Sequence, residues 1–367
     1  MILSEFYFRE TLRNFNDPPE SLKDKVDFFI SENTIGYRYV LGRNDLSISL
    51  IQSIEITGFI DDFTETGFLW HGKPVIKTSD LSPQDAVINC SMSISPVSAW
   101  QRLRNSRSLN VLNYSDCCRA RPDIFNLPSF VTASRIDFIA NEKNISNLYN
   151  NLADDESRIV MKAIMNYRLT ADPHYMENFS VRFLDQYFED FLDIHDAVFI
   201  DAGGYDGDTT KEFCRRFPFY KRVYFFEPSA VNINLARARL TPYRDIQFIQ
   251  QGLSDAKESL WFNSDAGSAS SISEQGSVRI DVNMLDNFVV EKVDFIKMDL
   301  EGWEMQALAG ATQHILADHP TLAISVYHHA GDLWRIYELV MKIRKDYQVY
   351  LRHYTEGWSE TVMFFCK

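Results

Sequence analysis

The sequence has no surplus of positive charge. Its 37 lysines and arginines stand against 51 aspartates and glutamates, a net charge of −14. That argues against a duplex nucleic-acid binder, which needs a basic surface to displace counterions. It argues equally against docking on anionic lipid. No run of about 18 apolar residues occurs, so no membrane span is expected. The opening stretch, MILSEFYFRE, mixes acids with apolar residues and lacks a basic leader, so no signal peptide is expected. Paired cysteines are missing too. Cys90, Cys117, Cys118, Cys214 and Cys366 form an odd set without CxxC, which leaves no zinc spacing and no disulfide framework. Free thiols in a reducing, cytoplasmic setting are the expectation. There is no repeat of solenoid period, and no GxxxxGK[ST], so a P-loop is excluded.

What is present is a globular composition, with 45% hydrophobic and 14% aromatic residues over a length of 367, enough for two domains. Residues 1–32, with NDPPES, read as an N-terminal arm. From residue 33 a strand–helix–strand pattern begins. YRYVLG, IEITGFIDD, DAVINCS and LNVLNYSD are expected strands, with NDLSISLIQSI and SPVSAWQRLRN as helices between them. This is βαβ chemistry and predicts a small Rossmann-like α/β domain over 33–125. Residues 126–192 carry apolar positions near helical spacing (Leu148, Leu152, Ile159, Val160, Ile164) and are expected as a mainly helical connector.

Residues 193–367 alternate strand and helix again. AVFIDAGG, RVYFFEP, DIQFIQQGLSD, VDFIKMDLEG and TLAISVYHH are the expected parallel strands. YQVYLRHY and TVMFFCK then form a hairpin, which predicts a parallel sheet with a reversed last strand.

In such a sheet, ligands bind at the carboxyl ends of the strands. The turn AGGYDG places Gly203, Gly204 and Gly207 there, and a glycine fingerprint alone is weak. The acids in and beside it are more telling. Asp201 and Asp206 would repel a pyrophosphate, and the turn itself holds no lysine or arginine to offset them. The expected ligand is therefore a cation, and S-adenosylmethionine (SAM), with an ammonium and a sulfonium, fits. Glu227, which ends the second strand before Pro228, is placed to accept ribose hydroxyls. Leu253 and Ser254 follow the third strand, where an adenine would lie; an ordinary turn there is an equal alternative.

The motifs VFIDAGGYDGDTT, VYFFEPSAVN, GLSD, DFIKMDLEGWEMQALAGA and LAISVYHHAGDLW, in this order, resemble the FkbM-type SAM-dependent methyltransferases. The resemblance covers roughly residues 195–367. It implies a class I methyltransferase Rossmann-like sheet with an antiparallel last strand. It also implies O-methylation of a hydroxyl on a sugar, glycan or related natural-product intermediate. The segment from Tyr37 to Ile76 resembles the small N-terminal Rossmann-like domains of some sugar-modifying acyltransferases and FkbM-type proteins. Its turn keeps only Gly42, with Arg43 as a phosphate candidate and Asp61 or Asp62 as ribose candidates. Binding a nucleotide sugar, and merely packing or dimerising, are both left open.

Candidate catalytic residues lie on the same rim. Asp299 and Glu301 flank the end of the fourth strand and are candidates to orient an acceptor hydroxyl. His328 and His329 end the fifth. Alternation turns only one of them inward, and His328 is the expected general base. Mg²⁺ held by Asp299, Glu301 and a histidine is chemically open, but the spacing does not establish a metal. The stretch NSDAGSASSIS is a candidate lid by composition. Trp303, Trp334 and Tyr327 are candidates for a sugar face, against burial as core. Partners are expected to be a small sugar or glycan acceptor, without nucleic acid, with a homodimer left open. The competing classes are an NAD-dependent sugar oxidoreductase and a non-catalytic cofactor or sugar-nucleotide binding scaffold.

Overall fold

The computed structural model describes residues 6–31, 36–65, 67–262 and 278–367. The chain divides into two compact units. The first comprises residues 1–146, 159–181 and 354–359; the second comprises 147–158, 182–353 and 360–367. The expected connector, 126–192, is thus shared out between the units and does not form a separate layer.

The first unit is built on six short strands: β1 (Arg38–Leu41), β2 (Gly58–Ile60), β3 (Leu69–Trp70), β4 (Lys73–Ile76), β5 (Ala86–Asn89) and β6 (Asn110–Asn113). Their order is β3-β4-β2-β1-β5-β6, parallel except where β3 meets β4. Period-two alternation sorts the side chains. Val40, Phe59, Ile88 and Leu112 enter one core, while Tyr39, Ile60 and Val87 enter the other with Ala99 and Leu103. The helix Asp45–Ser53 starts where expected, with Asn44 Oδ1 accepting from the Ser47 amide.

Two features of this unit escaped the sequence reading. Residues expected as an arm form the helices Phe6–Asn16 and Glu20–Ile30, and Phe15, Val26 and Phe29 belong to the core. Leu22, Val26, Phe29 and Ile30 repeat at i, i+4, i+7 and i+8, which is a core-facing helical stripe. The β3–β4 hairpin turns on His71 and Gly72, both at positive φ (47° and 73°). A histidine there hides the usual turn signature of glycine with asparagine or aspartate.

The second unit carries β7 (Val198–Ala202), β8 (Arg222–Phe226), β9 (Ile246–Ile249), β10 (Gly252–Leu253), β11 (Glu258–Phe262), β12 (Val278–Asn283), β13 (Phe295–Met298), β14 (Thr321–Ser325), β15 (Gln348–His353) and β16 (Thr361–Cys366). Seven of them form one sheet in the order β15-β16-β14-β13-β7-β8-β9. β16 runs antiparallel to both its neighbours, as the terminal hairpin predicted. Strand order reverses between β7 and β13, so the crevice falls at the carboxyl ends of these two. β7 is buried along its whole length, as a central parallel strand covered on both faces must be. Phe199 stacks on Phe213 and Phe295, with centroids 4.2 and 5.0 Å away. β10, β11 and β12 make a separate small sheet that the sequence reading did not anticipate. The proposed lid, NSDAGSASSIS, lies outside the described residues.

Candidate active site

The turn after β7 is shaped by protein contacts. Gly203 sits at φ 74°, and a Cβ there would overlap the Asp299 carbonyl oxygen. A Cβ at Gly204 would overlap the Phe225 ring. Gly207, at φ 86°, caps the helix Asp208–Arg216. The smallness of the first two glycines is required by close packing inside the fold.

The turn's acids are compensated from elsewhere in the unit, which corrects the charge argument made from sequence. Asp201 is fully buried. Its Oδ1 lies 3.1 Å from Lys297 Nζ, and its Oδ2 accepts from the Thr210 hydroxyl at 2.6 Å. Lys297 comes from the middle of β13 and also donates to the Gly203 carbonyl at 2.7 Å. Burial works against its charge, but Asp201 and Asp299 hold its pKa above the ordinary value. Asp206 pairs with Arg239 at 2.6 Å. Asp208 stands in the first turn of its helix and accepts from the Thr209 amide at 2.7 Å.

Glu227, at the tip of β8, is 5% exposed. Its Oε2 accepts from the Tyr205 amide at 3.0 Å and its Oε1 from the Ser229 amide at 2.8 Å. Burial raises its pKa, opposed by those N–H groups. The carboxylate is therefore pinned with both oxygens at the strand tip. Pro228 lines a neighbouring pocket with Ser229, Gln250 and Arg279. Leu253 and Ser254 are buried. Ser254 Oγ accepts from Trp303 Nε1 at 3.3 Å, which ties the end of β10 to the loop after β13.

The ends of β13 and β14 bring Asp299, Glu301 and His328 together. His328 Nε2 lies 3.5 Å from Asp299 Oδ1 and 3.4 Å from Glu301 Oε2, and its Nδ1 lies 3.1 Å from Glu304 Oε1. His329, beyond the end of β14, is exposed, with its Nδ1 3.5 Å from Asp332 Oδ1. Burial would lower the pKa of His328, but Glu301, Glu304 and Asp299 outweigh it and hold the ring well above its ordinary value. Those carboxylates favour the protonated ring over the neutral one. That differs from the expectation of a ready base: a protonated imidazole cannot accept the acceptor's proton. Asp299 shows the converse. Burial would raise it, but His328 and Lys297 depress it, and Tyr187 donates to its Oδ2 at 2.8 Å.

Asp299, Glu304 and His328 present one donor atom each within 4.8 Å of one another, a spacing open to a metal ion. A metal would need the imidazole neutral. Glu304 Oε1, moreover, already accepts from the Leu300 amide at 2.7 Å.

Several members of this cluster were absent from the sequence reading. Lys297 is a charged residue inside an apolar parallel strand, FIKM, and that oddity was a usable signal. Glu304 sits where a helix-start acid belongs. Gln186, Tyr187 and Glu360 come from irregular segments and carried no signal. Gln186 Nε2 donates to Glu360 Oε2 at 2.6 Å and to Tyr187 Oη at 3.0 Å. In the first unit, Arg43 is bound to Asp61 at 2.6 Å, and Asp62 accepts from Thr78, so these phosphate and ribose candidates already have partners.

Residues 201–352 match the family described as methyltransferase FkbM domain. The crystal structure of methyltransferase FkbM from Methylobacillus flagellatus KT superposes with a TM-score of 0.76 at 24% identity, covering 98% of each chain. At that identity the likeness is one of fold. Aeropyrum pernix fibrillarin, in complex with natively bound S-adenosyl-L-methionine, gives a TM-score of 0.31 at 13% identity over 47% of this chain and 66% of its own. A SAM-dependent methyltransferase from Aquifex aeolicus gives 0.32 at 12% identity over 53% of this chain and 97% of its own. No curated protein matches the chain.

Proposed function

We propose that this chain, whose residues 201–352 match the methyltransferase FkbM domain, moves a methyl group from SAM to a hydroxyl of a sugar, glycan or related natural-product intermediate. The observation that carries the cofactor reading is Glu227, a buried carboxylate fixed by two backbone N–H groups at the tip of β8, beside the glycine turn. A carboxylate so placed recognises paired hydroxyls. The ribose then lies on Glu227 with the adenine toward Leu253 and Ser254. The methionine end lies along Gly203, Gly204 and Gly207. Asp201 and Asp206 act indirectly, by holding the turn to Lys297 and Arg239. The methyl group then points toward Asp299.

Methyl transfer from a sulfonium is an in-line displacement, so alignment of acceptor and donor dominates. Asp299, kept anionic by His328 and Lys297, anchors the acceptor hydroxyl, with Glu301 flanking it. A cytoplasmic setting agrees with five free cysteines, four of them buried. No helix of the described residues is long and apolar enough to cross a membrane.

Calorimetry with S-adenosylhomocysteine, with NAD⁺ as control, tests the cofactor. Binding of the first and not the second is expected. The reverse would favour the oxidoreductase reading. Methyl transfer to a panel of glycosides and nucleotide sugars tests the acceptor class and separates an enzyme from a binding scaffold.

A further inference from the structure

Three residues of the second unit stand at positive φ without being glycine and share one network: Tyr187 (72°), Glu301 (53°) and Glu360 (68°). Such conformations cost of order 1–3 kcal/mol each and persist only where the surroundings impose them. Two of these residues already belong to the site. Glu360 is the third, and nothing in the reading above uses it.

Glu360 immediately precedes β16. The β14–β16 ladder pairs Ser325 with Val362, and the Val326 amide donates to the Thr361 carbonyl. Continued by one residue, that register sets Glu360 across from Tyr327, at the rim where Asp299 and His328 end their strands. Gln186 holds its Oε2 at 2.6 Å and passes the link through Tyr187 to Asp299. The charged and titratable groups facing it are Asp299 from β13, His328 and Tyr327 from the end of β14, and Tyr187 from the segment before β7. The side chain is largely enclosed, yet the residue keeps part of its surface open.

We propose that Glu360 is the base that takes the proton of the acceptor hydroxyl. The assignment rests on the methyltransferase reading and adds the residue that completes it. As the oxygen–methyl bond forms, the sulfur–methyl bond breaks and the sulfonium becomes a neutral thioether. The hydroxyl proton passes to the Glu360 carboxylate, which later returns it to water. Charge thus balances without help from outside. His328 is a positioning residue here: its cation keeps Asp299 ionised as the anchor.

The titration behaviour agrees with this division. Burial and Asp299 push the Glu360 carboxyl up to about 7, against Gln186, His328 and Tyr327. Asp299, a neighbour, is depressed. Two carboxyls driven apart by their surroundings can serve as fixed anion and proton acceptor.

The experiment uses the full chain and two readouts. Carboxyl-¹³C NMR of glutamate-labelled protein, assigned with Glu360→Gln, should show Glu360 titrating near neutrality. Methyl transfer to methyl α-D-glucopyranoside, supplied at high concentration as a minimal hydroxyl acceptor, should rise with pH through that same value. Glu360→Gln should lower kcat at least about tenfold, the low end for general-base help. It should also abolish the pH limb and leave KM and S-adenosylhomocysteine affinity nearly unchanged. Glu360→Asp should restore part of the rate. A Glu360 signal in the ordinary carboxylate range overturns the assignment, as does a Glu360→Gln enzyme within twofold of the parent. Absence of S-adenosylhomocysteine binding by the parent protein would instead sink the methyltransferase reading itself.

Discussion

Lys297 and Asp201 stand in register on the neighbouring strands β13 and β7, with Nζ and Oδ1 3.1 Å apart and both side chains closed to solvent. The pair joins the two strands at the point where strand order reverses, and through Gly203 it fixes the glycine turn. Breaking one side leaves a buried charge alone. Lys297→Met should lower the unfolding free energy by about 3–5 kcal/mol in urea titrations. The double variant with Asp201→Asn should recover most of the loss. Equal losses in single and double variants would show that the pair is not the source.

Glu227 should govern cofactor affinity. Glu227→Ala removes the acceptor for ribose hydroxyls and should cost about 1.5–3 kcal/mol in S-adenosylhomocysteine binding, read by calorimetry. An unchanged affinity places the ribose elsewhere.

Gly203→Ala sets a methyl group against the Asp299 carbonyl at a φ of 74°. Both effects act on the folded state, so a loss of more than about 2 kcal/mol in stability is expected. Thermal unfolding that matches the parent would mean the turn yields freely.

Stability should also depend on pH through Glu360. Its value in the fold, about 7, exceeds the ordinary 4.5. A group raised in this way contributes stability that is complete below about pH 4.5 and is lost as pH rises through 7. Glu360→Gln removes that loss. The difference in unfolding free energy, variant minus parent, should therefore grow by about 2–3 kcal/mol from pH 5 to pH 8. Parallel pH curves for the two proteins would contradict it.

Much of the frame was legible because parallel strands announce themselves. VFIDA, RVYFF and FIKM are short apolar runs bounded by turns, and the turn residues mark where each strand ends. The rim followed from that: Asp201, Glu227, Asp299 and His328 are all strand-end residues. What stayed hidden depends on tertiary pairing. No local pattern tells that Lys297 will neutralise Asp201, so the turn read as an uncompensated anion. No local pattern tells that three carboxylates will surround His328 and keep its proton. Gln186 meets Glu360 across 174 positions of sequence and Tyr187 meets Asp299 across 112, in segments with no periodicity to read.

The position of β16 bears on the order of assembly. β15 touches the large sheet only through β16, which lies between it and β14. The expected order is that the hairpin forms as a local pair and joins the sheet as one piece, because β15 alone has no edge to meet. Glu360 stands at the loop end of that hairpin, so the rim gains its last carboxylate in the same step that closes the sheet. In pulsed hydrogen exchange during refolding, the amides of β15 and β16 should acquire protection together, after those of β7 and β13. Until then the chain holds a partly formed crevice with an open strand edge, and that interval is when it is most exposed to aggregation.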